Sequence, residues 1–288
     1  MLRRLALVAL VLLAPFALCP GPPLALGTFN IRMFPADTTD LEAVVAAIVE
    51  LDADAFAVQE IVDAAAFQRV LDRASARSGR RYQVRLEPAL CPRRRGNLHV
   101  GVVHDADKLT VLESRVLGEF TCPNGQPSGM LALLRASDGR RLALASVHFT
   151  AGDGKNTRAE RAAQWTWLID ALPELQAELD APVIVSGDFN STGFLREHDP
   201  ERRFIDDLVE RHGLQLPTAE LACSMYWKPR TTYEPSLLDH VLAPRELRLG
   251  PARALGMCAE LACAPQASEP AAWRTISDHC PVRVEVRL

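Results

Sequence analysis

The stretch Pro182-Val183-Ile184-Val185-Ser186-Gly187-Asp188-Phe189-Asn190 sets a carboxylate and an amide two residues apart at the end of an apolar run. A short β-branched apolar run reads as a buried strand, and Gly187 reads as the turn that ends it. On extended backbone Asp188 and Asn190 share one side, with Phe189 turned into the core. By itself Gly-Asp-x-Asn more often describes a turn in which Asp and Asn bond their own backbone. Other strand ends change that balance, because Asn30, Glu60, His148, Asp239, Asp278 and His279 each stand at or beside the end of an apolar run. The chemistry such a set suits is phosphodiester hydrolysis at a hard metal. Oxygen ligands from Asn30, Glu60 and Asp278 suit Mg²⁺, with Mn²⁺ or Ca²⁺ as alternatives. Asp188 can orient and deprotonate water. Asp239 can fix the tautomer of His279, and His148 and Asn190 can stabilise charge on a pentavalent phosphorus.

The elements that must position these groups follow from apolar spacing. Residues 26–32 read as a strand with Asn30 and Arg32 on one side and Phe29 and Ile31 on the other. Thr39 to Glu42 has the form of a capping box opening a helix through Leu41, Val44, Val45, Ile48 and Val49. A strand ending at Glu60 and a helix over 64–77 come next. Segments 82–86, 98–104, 111–117, 130–136 and 142–147 read as an antiparallel meander, with Asp138-Gly139 as a hairpin turn. A long helix over 158–179, with Trp165, Leu168 and Leu172 inward, leads to the strand before Asp188. Another helix falls near 204–211. Residues 223–228 suggest a substrate-facing rim, 236–242 a strand with Asp239 at its centre, and 282–288 a closing strand. Arg32, Asn97 in the basic loop 92–97, and Arg158 are candidate substrate contacts. The loop's Arg93, Arg94 and Arg95 read first as a solvated loop, and a phosphate backbone is their alternative partner.

Length and composition bound the rest. The 288 residues, 48% hydrophobic and 24% charged, suit a globular chain. Arg3-Arg4 before an apolar run from Leu5 to Leu18 and a Pro/Gly break read as a secretory signal over residues 1–25, cut near Ala25. A single domain then spans 26–288, with no membrane span in the mature chain and no obligate protein partner; a monomer is expected. Cys19 follows Leu18 rather than a small residue, which makes lipoprotein anchoring the lesser reading. Removing Arg3 and Arg4 takes the net charge from −4 to −6, so no global field draws the chain onto nucleic acid or anionic lipid. Six cysteines remain, consistent with export to the periplasm or beyond. Cys91 with Cys122, and Cys223 with Cys258 or Cys263, are candidate disulfides, and Cys280 reads as a buried free thiol. Zinc is disfavoured, since no second close Cys or His pair accompanies Cys258 and Cys263.

Taken in order, Thr-Phe-Asn-Ile-Arg, Val-Gln-Glu, Ser-Val-His-Phe, Gly-Asp-Phe-Asn-Ser, Leu-Asp-His-Val and Ser-Asp-His-Cys-Pro-Val resemble the endonuclease/exonuclease/phosphatase superfamily over Asn30 to Val282. The resemblance implies an α+β fold, a four-layer α-β-β-α sandwich of two mainly antiparallel sheets. It implies metal at Asn30 and Glu60, with Asp278 as a further ligand, and water activation by Asp188. It also implies His148 and Asn190 on the scissile phosphate and Asp239 paired with His279. The DNA-kinking loops of apurinic endonucleases, a basic inositol-reading motif and the apolar hairpin of sphingomyelinases are not evident. A secreted nuclease acting on DNA or RNA is therefore expected, with a phosphatase or phospholipid diesterase using the same centre as the alternative.

Overall fold

The computed structural model describes residues 21–87, 98–117, 129–196 and 198–288. Along the chain these form β1 (Leu24–Phe34), α1 (Leu41–Leu51), β2 (Ala55–Ile61), α2 (Ala64–Ser78), β3 (Tyr82–Leu86) and β4 (His99–Asp105). Next come β5 (Leu109–Val116), β6 (Gly129–Ala136), β7 (Arg141–His148), α3 (Lys155–Leu179), β8 (Val183–Asp188) and α4 (Pro200–Arg211). The remainder is β9 (Leu214–Gln215), β10 (Met225–Trp227), β11 (Glu234–Ser236), β12 (Asp239–Pro244), β13 (Arg248–Leu249), β14 (Arg253–Ala254), α5 (Met257–Glu260), α6 (Ala271–Thr275) and β15 (Val282–Arg287).

One sheet has the order β13-β15-β1-β2-β4-β3, with β14 also pairing β15; the other has the order β5-β6-β7-β8-β12-β9. Each is antiparallel except for one central parallel pair, β1 with β2 and β7 with β8. The expected meander is therefore divided. Strands β3 and β4 stay in the first sheet, and the chain crosses to the second before β5. Helices α1 and α2 cover the outer face of the first sheet, where Ile48, Leu51, Phe67 and Leu71 pack on Phe29, Ile31, Phe56 and Val58. On the far side, Trp165, Leu168 and Leu172 of α3 pack with Val183, Val185 and Phe189. This is the expected four-layer sandwich.

The layer between the sheets explains where the chemistry lies. Alternation turns Leu26, Thr28 and Asn30 of β1 toward the second sheet, and Ile184, Ser186 and Asp188 of β8 toward the first. In β7 the corresponding residues are Leu144, Ser146 and His148. At one end this layer is apolar: Leu26, Leu144, Ile184, Val241 and Val284 form a single cluster. In the middle small polar groups tie the sheets together. Gln59 Nε2 donates to Ser146 Oγ (3.0 Å) and Ser186 Oγ to the Gly27 carbonyl (3.0 Å) across the sheets, and Thr28 Oγ1 of the strand beside Gln59 donates to its Oε1 (3.2 Å). Beyond them stand Asn30, His148 and Asp188, all buried. The site is thus the polar end of a sheet-to-sheet core.

Several local expectations are corrected. Gly187 lies within β8 and does not end it; a Cβ there would stand 2.1 Å from the Val147 carbonyl oxygen, so the close strand approach requires glycine. The turn comes at Asn190, whose φ is 52°. Asp40 rather than Thr39 caps α1, accepting from the amides of Glu42 and Ala43. Asp239 opens β12 instead of sitting at its centre. Cys280 is bonded to Cys258, not free, and Cys223 takes Cys263 of its two expected partners. Cys91, Cys122 and Arg93 to Arg95 lie outside the described residues. In β1, Leu24 and Ala25 pair with Val286 and Glu285. Among the described residues no helix is long and apolar enough to cross a membrane.

Candidate active site

Asp188 is the hub. Its Oδ1 accepts from the Asn190 amide (2.9 Å), so the local Asx turn does form, but it occupies only one carboxylate oxygen. The other, Oδ2, accepts from Asn30 Nδ2 across the sheets (3.0 Å) and lies 3.6 Å from His148 Nε2 and 3.7 Å from His279 Nε2. Burial raises the Asp188 pKa and Asp239 adds to this, against the pull of His279 and His148. Phe189 is stacked on Trp165 (4.5 Å between ring centroids), and Trp165 Nε1 donates to Ser191 Oγ. That packing fixes the backbone on both sides of the carboxylate.

Asp239 and His279 meet as the sequence suggests: Asp239 Oδ2 lies 2.8 Å from His279 Nδ1. Ser224, which sequence reasoning did not single out, donates its Oγ to the same oxygen (2.7 Å) and accepts from the Leu238 and Asp239 amides. Burial opposes a proton on His279, yet Asp239 and Asp188 raise its pKa well above the usual histidine value. The His279 backbone is set in turn by Ser277, whose Oγ accepts from the His279 amide and donates to the Asn30 carbonyl.

Glu60 reaches the site by an irregularity. Gln59 already faces between the sheets, so strict alternation would turn Glu60 away. Here the register of β2 shifts between Val58 and Ile61, and Glu60 takes φ 64°. This bulge re-aims the carboxylate. Its oxygens accept from Asn30 Nδ2 (3.2 Å) and the Met33 amide (2.9 Å), with His148 Nε2 at 3.8 Å. Burial would raise the Glu60 pKa, but His148, His279 and the hydrogen bonds hold it below the ordinary value. Asn30 Oδ1 is buried with no hydrogen-bond partner among the described residues. An unpaired amide oxygen beside an ionised carboxylate is the donor set a hard divalent cation needs. Asp278 stands near enough for Glu60 to act on it: burial and then Glu60 push its pKa up, while His279 and Arg32 oppose. One ligand atom each from Asp188, Asp239 and His279 also lies within 4.8 Å of the others, an arrangement that could itself hold an ion.

Of the remaining candidates, Asn190 lies at the site with its Nδ2 bonded to the Phe149 carbonyl, which leaves one N–H of that amide for a ligand. Arg32 lies 3.8 Å from Asp278 and over the Trp273 ring. Arg158 is not brought to the centre as an open cation, because its guanidinium bonds Asp153 and Asp199. Asn97 lies outside the described residues. A second group unforeseen from sequence is the fully buried Arg161. It pairs with Glu201 of α4 (2.7 Å), whose other oxygen accepts from the Thr192 amide, and it bonds the carbonyls of Thr150 and Gly152, joining the loop after His148 to the one after Asn190.

The fold of two facing sheets that carries this cluster has counterparts among solved structures. D. rerio TDP2, solved with a single-strand DNA product, has a similar fold: TM-score 0.67, 18% identity, covering 93% of this chain and 100% of that one. An endonuclease/exonuclease/phosphatase family protein from Bacteroides thetaiotaomicron gives 0.64 at 18% identity, over 92% and 98%. A mannosyl-6-phosphatase from the same organism gives 0.61 at 18% identity, over 91% and 99%. A search of the curated proteins by sequence finds no match. The profile of the endonuclease/exonuclease/phosphatase family matches residues 27–279, from the middle of β1 to the histidine that pairs with Asp239. On that span the chain belongs to the endonuclease/exonuclease/phosphatase family, whose members are phosphoester hydrolases that use divalent metals.

Proposed function

We propose that the protein is an exported phosphodiesterase dependent on a divalent cation, with nucleic acid as its substrate. The observation that carries this reading is the surrounding of Asp188 Oδ2 by Asn30, His148 and His279, with the unpaired Asn30 Oδ1 alongside. Asn30, Glu60 and Asp278 would hold the cation, with Mg²⁺ the expected ion; when bound it neutralises charge on the phosphoryl oxygens. Asp188 accepts a proton from the attacking water as the new O–P bond forms. His279, kept protonated beside Asp239, and the free N–H of Asn190 donate to the phosphoryl oxygens as charge develops there. The P–O bond opposite the water breaks, and the departing oxygen takes up a proton from solvent water. His148 faces the same space and contacts the phosphoryl group. A diester is favoured over a monoester because Arg158 and Arg196, in the segments that follow His148 and Asn190, are neutralised by Asp153 and Asp199. A monoester's second negative charge would call for open cations. The two disulfides support placement in an oxidising compartment.

The test is cleavage by purified, oxidised protein of plasmid DNA, RNA, bis-p-nitrophenyl phosphate, sphingomyelin and a sugar monophosphate, with Mg²⁺ or EDTA. EDTA-sensitive cleavage of DNA or RNA is expected, and Asp188→Asn should lower kcat about 10²–10⁴-fold without lowering Tm. Turnover of only the monoester or only sphingomyelin would overturn the nucleic-acid assignment. Undiminished activity in Asp188→Asn would remove Asp188 as the base.

A further inference from the structure

Next to Asn190 lies a cavity of about 330 Å³, within the range of small-ligand sites. Two larger recesses of about 580 Å³ flank the β13–β15 end and contain none of the site residues. Only three large apolar side chains are markedly exposed among the described residues, and two of them, Leu195 and Trp227, line this one cavity at 43% and 44% exposure. Met225 and Trp227 share one face of β10, while Tyr226 between them is fully buried on the other. The walls are tied to the centre at three points. Asn190 is part of the lining, Leu238 directly precedes Asp239, and the Met225 backbone pairs with His279.

The charged groups of the cavity are already engaged. Asp153 receives both ends of the Arg196 guanidinium, the Thr192 hydroxyl and Arg158 Nε. Arg196 and these partners hold its carboxyl well below the usual range, so it stays an ion-paired rim. A sugar or inositol would need open donors and acceptors here, and an acidic group would need an open cation. What remains for a ligand is mainly apolar wall that includes the Trp227 indole, with one Asn190 N–H at the end next to the centre. Flat rings that bring a π-face and few obligatory hydrogen bonds match it, as stacking platforms for single-stranded nucleic acid do.

We propose that this cavity, with Trp227 as its platform, holds the nucleobase of the nucleotide adjoining the scissile phosphate. The proposal rests on the nuclease reading and adds to it a requirement: one flanking nucleotide must present an unstacked base, which makes single-stranded or end-frayed nucleic acid the substrate class. Trp227 is then a specificity-determining residue.

The experiment uses hexathymidylate whose central linkage is the only cleavable phosphodiester, the others being methylphosphonates. Two derivatives carry a tetrahydrofuran abasic residue on one side or the other of that linkage. One of the two should lose about tenfold or more in kcat/KM, with the change in KM, and Trp227→Ala should erase the difference between it and the parent. In a second arm, thymidine 5′-monophosphate added in EDTA should quench tryptophan fluorescence of the wild type but not of Trp227→Leu. Equal cleavage of all three oligonucleotides by the wild type would overturn the pocket and leave the phosphodiesterase intact. Quenching by octyl phosphate but not by the nucleotide would overturn it in favour of an acyl chain. If no oligonucleotide were cleaved, the nuclease reading would fall, and the fluorescence arm would still decide the pocket.

Discussion

At the scale of single residues, neighbours in one motif do unlike work. Asp239 faces the site, while His240, the next residue, faces the outer layer. There its ring lies 4.1 Å from that of Phe194 and 5.9 Å from that of Phe189, with Nδ1 3.0 Å from Thr218 Oγ1. Burial, with Arg202 nearby, pushes its pKa down to about 3. A histidine whose folded pKa is depressed binds its proton more readily unfolded, so its contribution to stability is full above about pH 6.5 and is lost as pH falls toward 3. Tm should therefore drop between about pH 7 and about pH 5, and drop less in His240→Gln. An equal drop in the two proteins would place the acid-labile group elsewhere. The motif Leu-Asp-His-Val does not say which of its two polar residues is catalytic. Only strand alternation does, and it gives the site to Asp239. Ser224 shows the opposite limit. A serine beside a cysteine carries no signal of its own, and its bond to Asp239 depends on a contact 15 residues away.

At the scale of elements, the legible part of the site was whatever obeyed period two. Asn30, His148, Asp188 and Asp239 lie where alternation along their strands puts them, and the apolar-to-polar gradient along β1, β7 and β8 can be read directly from the sequence. Glu60 was found as a strand-end acid, but its delivery by a bulge could not be read, because bulges arise from pairing with β1 and β4. The ion pair between Arg161 and Glu201 was hidden for the same reason: it joins α3 to α4 across 40 residues, and both residues look like ordinary helix-surface charges in sequence. Since both ends are buried, Glu201→Ala should cost about 3–5 kcal/mol by stranding the guanidinium. The double variant Arg161→Leu/Glu201→Leu should cost less. Urea unfolding measures both, and a double variant worse than the single would mean the pair holds the two loops in a way apolar packing cannot.

On the scale of the whole molecule, the four layers followed only from the family resemblance that the six motif stretches carry, and those stretches were accessible from sequence because each is local in pattern. The cysteine pairing was not, because it depends on which loops meet over the catalytic end. Both described disulfides converge on the α5 segment. One bond links Cys263 to Cys223, next to Ser224, and the other links Cys258 to Cys280, next to His279. Further ties run between the same strands, with the Cys280 amide bonded to the Ser224 carbonyl and the Tyr226 amide to the Asp278 carbonyl. Losing supporting contacts around a reactive group typically costs about 10- to 100-fold in activity. Cys258→Ala/Cys280→Ala should accordingly lose about that much in kcat with a smaller change in KM, and thiol reduction of the wild type should do the same. Unchanged kcat after full reduction would mean that the fold alone sets the Asp239–His279 pair. For a protein exported as proposed, cystines directly beside Ser224 and His279 would also separate synthesis from hydrolysis in space. On the function proposed above, a chain newly made in a reducing cytoplasm would have its acid–imidazole pair unfastened, and the producing cell's own nucleic acid would be spared without a dedicated inhibitor. Cytoplasmic expression should then be tolerated in an ordinary host and become toxic in one whose cytoplasm forms disulfides.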